Sequence, residues 1–150
     1  MKKSGLFSCL LFLLISIALR SQNSNLSARI LSQLDTIEKE MVNALSNGDS
    51  AAFKKIAGTD YLDINANGTM MTLISMLADI PDYKGFSVSF SEKSQRVYEN
   101  FVLRNGRAKF YAGNQQVGEV FYTQGWIYRE KRWQFVHWQG TTTKDFVPVK

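Results

Sequence analysis

Cysteine is almost missing from this 150-residue chain, Cys9 being the only one. It opens an N-terminal apolar run instead of following it, which does not fit a lipoprotein acylation site. Without a second thiol there is no disulfide and no cysteine-based metal site, and a chain processed beyond Cys9 has no thiolate nucleophile. Histidine is equally scarce, with His137 alone. One imidazole without suitably spaced Asp or Glu partners makes no metal site. The sequence has no Ser-His-Asp set and no phosphate-cradling glycine loop, so no cofactor is expected. It also lacks a basic stripe with stacking aromatics. The net charge is +5, and setting aside Lys2, Lys3 and Arg20 leaves +2. The remaining basic residues interleave with acids, as Lys54 and Lys55 do with Asp49 and Asp60. No nucleic-acid partner is expected.

What is present begins with a leader pattern. Met1-Lys2-Lys3 is a positive start, Leu6–Leu19 is apolar, and Arg20-Ser21-Gln22-Asn23 is polar. That order predicts a signal peptide over residues 1–21, cut near Ser21–Gln22, and the run is short for a membrane span; the alternative is an uncleaved N-terminal anchor. The expected product is secreted or periplasmic, with no lipid anchor and no stable membrane span after cleavage. A linker over 22–27, one domain over 28–143 and a polar tail over 144–150 complete the organisation.

Ile30, Leu34, Ile37, Met41 and Leu45 recur every three or four residues and predict an amphipathic helix ended by Asn47-Gly48. Asp49 or Ser50 can cap a short second helix burying Ala52, Phe53 and Ile56, with Gly58 closing it. Tyr61–Ala66 alternates as a strand, Asn67-Gly68 signals a tight hairpin, and Thr69–Met71 returns. Thr72 caps a third helix over Leu73–Ile80, stopped by Pro81. From Phe86 onward the pattern is strand. Ser87–Glu92 and Gln95–Tyr98 read as one long or bulged strand. Phe101–Leu103 is expected to turn through Arg104-Asn105-Gly106 into Arg107–Ala112. A loop at Gly113–Gln116 precedes two long aromatic strands joined at Arg129–Arg132. The fold class predicted is α+β, with N-terminal helices on the concave face of a strongly curved antiparallel sheet, a cone-like half-barrel.

Two motifs carry a resemblance. One is Leu45-Ser-Asn-Gly-Asp-Ser-Ala-Ala-Phe53 followed by Tyr61 and the Asn67-Gly68 hairpin. The other is Trp126-Ile-Tyr-Arg129 followed by Trp133-Gln-Phe-Val-His-Trp-Gln139. In this order of elements the chain resembles the nuclear transport factor 2-like superfamily, which includes SnoaL-like cyclases and ketosteroid isomerase. The second motif is similar to the end of the association domain of calmodulin-dependent kinase II. The resemblance spans Ala28 to Thr143 and implies a cone-shaped pocket; it does not imply one activity.

Isomerase-like members of that superfamily use an aspartate at the end of the first strand as a base. Registered on Gly68, this chain has Asn65 there, and an amide takes up no proton near neutral pH. Asp63, two residues earlier on the same strand face, is the remaining carboxylate that can enter the hollow. Its ordinary alternative, preferred at this point, is a place at the rim or in an ion pair with a nearby Lys or Arg. His137 is the second acid/base candidate. Strict alternation places His137 with Trp133, Phe135 and Gln139, and places Gln134, Val136 and Trp138 on the opposite face; both faces carry an aromatic, so the pattern leaves open which one is concave. Tyr61, Asp63, Asn65, Tyr122, Trp126 and His137 form the candidate ligand-binding set.

Three functions are compatible with these residues. The preferred one is an exported domain that binds a small, mostly apolar molecule in its cone without conventional catalytic machinery. The second is an isomerase- or lyase-type enzyme using Asp63 or His137, with Tyr61 as a neutral donor. The third is a homodimer or partner-binding module anchored by Trp138 and Tyr128 on the outer sheet face.

Overall fold

The computed structural model describes residues 27–144. The expected signal peptide with Cys9, the linker as far as residue 26 and the tail from residue 145 lie outside the described residues. Helix α1 covers residues 27–46. Its residues up to Thr36 belong to one compact unit, in which the Thr36 hydroxyl donates to the Ser32 carbonyl at 3.2 Å. The unit Ile37–Lys150 carries the remaining elements and the candidate site.

Gly48 adopts φ +67° and ends α1, and its N–H donates to the Leu45 carbonyl at 3.0 Å. Asp49 then caps α2 (Ser50–Ile56), its carboxylate accepting from the Ala52 N–H at 2.9 Å. Phe53 and Ile56 are buried, as their spacing predicts. Gly58 does not close this helix: Ala57 is already extended, and Gly58 is the second residue of strand β1 (Ala57–Ile64). A Cβ on Gly58 would lie 2.7 Å from the Arg129 guanidinium and 2.8 Å from Val136 Cγ1. The glycine is there for that close approach, not for a helix end.

The Asn67-Gly68 hairpin forms, with Gly68 at φ +83° and the Asn67 side chain accepting from the Thr69 N–H at 2.9 Å. It leads into β2 (Met70–Thr72), and Thr72 caps α3 (Leu73–Asp79). Pro81 does not end the winding there. It sits in the first turn of a 3-10 segment, Ile80–Tyr83, where a missing N–H costs nothing.

The sheet is completed by β3 (Phe86–Val97), β4 (Phe101–Ala112), β5 (Gln115–Arg129) and β6 (Arg132–Thr142). Its order is β2-β1-β6-β5-β4-β3, open at both edges. Only β1 and β6 run parallel; the other neighbours are antiparallel. The sequence predicted a turn at Arg104-Asn105-Gly106, but β4 runs through it unbroken. Arg104 is 1% exposed, with its guanidinium 3.4 Å from buried Glu38 of α1. The Asn105 amide donates to the Thr123 hydroxyl of β5 at 2.9 Å. Gly106 leaves room for Tyr122, whose ring a Cβ would meet at 2.9 Å. A turn-like tripeptide is held straight by three tertiary contacts, and the chain reverses at residues 98–100 instead.

β6 contains a bulge with direct consequences for the site. Trp126 pairs with Phe135, but Gly125 pairs with His137, so Val136 is an extra residue. Beyond it the alternation changes phase. Trp133 and Phe135 share the inner face with Trp138, whereas His137 turns to the outer face with Leu62, its partner across β1. The strict alternation expected from the sequence therefore fails at Val136.

Candidate functional site

The inner face of the sheet and the helices above it enclose a cavity of about 480 Å³. Met41 and Leu45 of α1, Phe53 of α2 and Met76 of α3 contribute from the helices. Tyr61, Asp63 and Phe135 contribute from β1 and β6, and Phe86, Val88 and Phe90 from β3. Phe53, Tyr61 and Phe135 pack edge-on or tilted with centroids 5.2–6.4 Å apart, which fixes one wall. Trp138 belongs to the lining too, and Tyr122 stacks behind it at 5.2 Å with ring planes 4° apart.

Asp63 lies on this surface, only 6% exposed. The Tyr61 hydroxyl donates to its Oδ2 at 3.3 Å, and its Oδ1 has no hydrogen-bond partner among the described residues. No Lys or Arg of the described residues pairs with it, so the rim or ion-pair placement preferred from the sequence does not hold. Burial raises its carboxyl from 3.8 to about 6, against the smaller lowering effect of the Tyr61 hydroxyl. Tyr61 is raised in turn, first by its own burial and then by the Asp63 charge. Tyr83, also on the lining, is raised by burial and then by Asp79, Asp63 and Asp82.

The six residues expected to bind a ligand divide evenly. Tyr61, Asp63 and Asn65 line the cavity, Asn65 with its amide 3.1 Å from the Met71 sulfur. Tyr122, Trp126 and His137 do not. Tyr122 borders a separate polar hollow of about 370 Å³ beside Gly106. Trp126 is fully buried against Phe135, its indole N–H donating to Gln124 Oε1 at 3.2 Å. His137 is on the outer face, opposite to Asp63, so the two acid/base candidates do not converge. Trp138, expected as an outer-face anchor for a dimer, is turned inward by the same bulge.

Other lining residues escaped notice in the sequence, namely Phe86, Val88 and Phe90 of β3 and the Asp82-Tyr83 pair. Period-two alternation in Phe86-Ser-Val-Ser-Phe90 was the available signal for the first three. Nothing local marks Asp82 and Tyr83. Among the described residues no three His, Cys, Asp or Glu side chains gather as metal ligands, and no helix is long and apolar enough to cross a membrane.

No family model and no curated protein matches the chain. Solved structures do. A nuclear transport factor 2-like protein from Cytophaga hutchinsonii is 16% identical, with a TM-score of 0.65 over 73% of this chain and 95% of its own. A putative calcium/calmodulin-dependent kinase II association domain from Exiguobacterium sibiricum is 18% identical, with a TM-score of 0.66 over 76% and 93%. A nuclear transport factor 2-like protein of unknown function from Pseudomonas putida is 13% identical, with a TM-score of 0.65 over 78% and 95%. At such identities the likeness speaks to architecture and not to activity. The α+β arrangement of helices on an open, curved, mostly antiparallel sheet is the nuclear transport factor 2-like fold.

Proposed function

We propose that this domain binds a small, mostly apolar molecule in the cavity above the sheet, with Asp63 as its buried polar anchor. One observation carries the reading: a largely apolar cavity of about 480 Å³ contains a carboxylate that is 6% exposed and has one oxygen unpartnered among the described residues. Leaving such a group unsatisfied costs about 1–3 kcal/mol, and a ligand hydrogen-bond donor recovers it. The volume suits a drug-sized molecule, and the few polar groups suit orientation of one end.

A thermal-shift screen of the full chain tests this. A ligand at 100 times its Kd stabilises the folded state by about 2.7 kcal/mol, a rise of several degrees for a domain of this size. The shift disappears in Val88→Trp, which puts an indole into the cavity; a shift of the same size in that variant counts against the site. Export and self-association, both expected from the sequence, are also proposals. N-terminal sequencing of chain recovered from the periplasm or medium tests the first, and light scattering of the processed chain tests the second.

A further inference from the structure

The charged residues on the cavity lining are of one sign. Asp63 and Asp82 both line it, and Asp79 is close enough to act on Tyr83 alongside them. Among the described residues no Lys, Arg or His belongs to the lining. Two cations on the inner face, Lys93 and Arg104, are paired with Glu38, and the Lys93 ammonium also lies 5.4 Å from the centroid of the Phe90 ring. The neighbours of Asp63 across the sheet, Met71 on β2 and Trp138 on β6, carry no charge, and α2 presents Phe53. The titratable groups that interact with Asp63 are Tyr61 and Tyr83, while the exposed Asp79 and Asp82 act on Tyr83; none of them supplies a positive charge near neutral pH.

Aromatic rings share the lining with this carboxylate. Phe53, Tyr61, Tyr83, Phe90, Phe135 and Trp138 are all on the lining. Ring faces and a desolvated carboxylate together select a cation with an apolar body, because each ring quadrupole attracts positive charge and the carboxylate supplies the counter-ion. The same surroundings reject a carboxylate ligand, which would meet a like charge without a basic partner.

We infer that the cavity takes an organic amine in its protonated form, the ammonium pairing with Asp63 Oδ1 and the apolar body lying against the rings. This rests on the cavity being a ligand site, and it narrows the class of ligand. It also gives the unpartnered oxygen of Asp63 a partner that none of the described residues supplies.

Three probes sharing one skeleton separate the possibilities: 4-phenylbutylamine, 4-phenylbutanol and 4-phenylbutyrate, titrated calorimetrically into the full chain at pH 8. The amine is expected to bind at least tenfold more tightly than the alcohol, and the carboxylate most weakly. Asp63→Asn is expected to bring the amine down to the level of the alcohol while the alcohol is unaffected. The wild-type chain gives a second readout that needs no variant. The amine stays protonated throughout, so its affinity should fall as pH drops through about 6, where Asp63 takes up its proton, while that of the alcohol stays level. An alcohol or carboxylate that binds as tightly as the amine, or an amine affinity flat with pH, overturns the inference but leaves the cavity as a site. Failure of all three probes to bind overturns both.

Discussion

Replacing Asp63 by asparagine should make the protein more stable at pH 8. The side chain keeps its shape and an oxygen to accept from the Tyr61 hydroxyl, which lies 3.3 Å from the carboxylate. What it loses is a charge held in an apolar cavity. In the unfolded chain this carboxyl ionises near 3.8, and in the folded chain near 6 because burial disfavours the anion. Between those values the folded state holds the extra proton, so stability falls as pH rises through that window and levels off above it. At about 1.4 kcal/mol per pH unit, the interval corresponds to about 3 kcal/mol lost by the wild type at pH 8. The new amide N–H₂ inherits the site of the unpartnered oxygen and returns about 1 kcal/mol of that. A net gain of about 2 kcal/mol is expected in urea unfolding at pH 8, shrinking towards zero at pH 4. An asparagine variant less stable than wild type at pH 8, or a difference independent of pH, would refute the claim that Asp63 is a desolvated and uncompensated carboxylate.

The remaining predictions concern the frame around the cavity. Gly58→Ala puts a methyl 2.8 Å from Val136 Cγ1 and Asp60 Oδ1, beneath the Arg129–Asp60 ion pair, and should cost about 1–3 kcal/mol by denaturant unfolding. Arg104→Leu leaves buried Glu38 with Lys93 as its remaining ion-pair partner and should cost about 3 kcal/mol or more. Glu130 and Lys131 form the two-residue turn between β5 and β6 at φ +54° and +62°. Lys131→Gly should therefore raise stability by about 0.5–1 kcal/mol, measured as a shift in the urea midpoint.

Much of the frame was legible because it is locally encoded. The stripe ending at Leu45, the Asp49 and Thr72 caps and the Asn67-Gly68 hairpin each follow from a few adjacent residues. So does the placement of Asp63 on the same strand face as Tyr61. The errors lie where a distant partner overrides the local signal. Arg104-Asn105-Gly106 has the composition of a turn, yet Glu38, Thr123 and Tyr122 hold it in a strand. The extra residue at Val136 has no mark of its own in the sequence, but it decides that Trp138 faces the cavity and His137 does not. Of the candidate ligand set, His137 depended on that one phase, whereas Tyr122 and Trp126 of β5 share the inner face but lie outside the cavity lining. The negative character of the cavity was hidden for a related reason. Asp82 and Tyr83 follow a proline in a segment read as a helix stop, and only the fold carries them to the lining beside Asp63.

The methionines offer the most direct measurement. Met41 and Met76 are buried at the cavity lining, whereas Met70 is 68% exposed and outside it. In the full chain with isotopically labelled methionine methyls, titration with neutral 4-phenylbutanol should move the Met41 and Met76 signals saturably and leave that of Met70 in place. Signals from Met41 and Met76 that do not move, or a Met70 signal that moves as far as theirs, would contradict the account of the cavity as a small-molecule site.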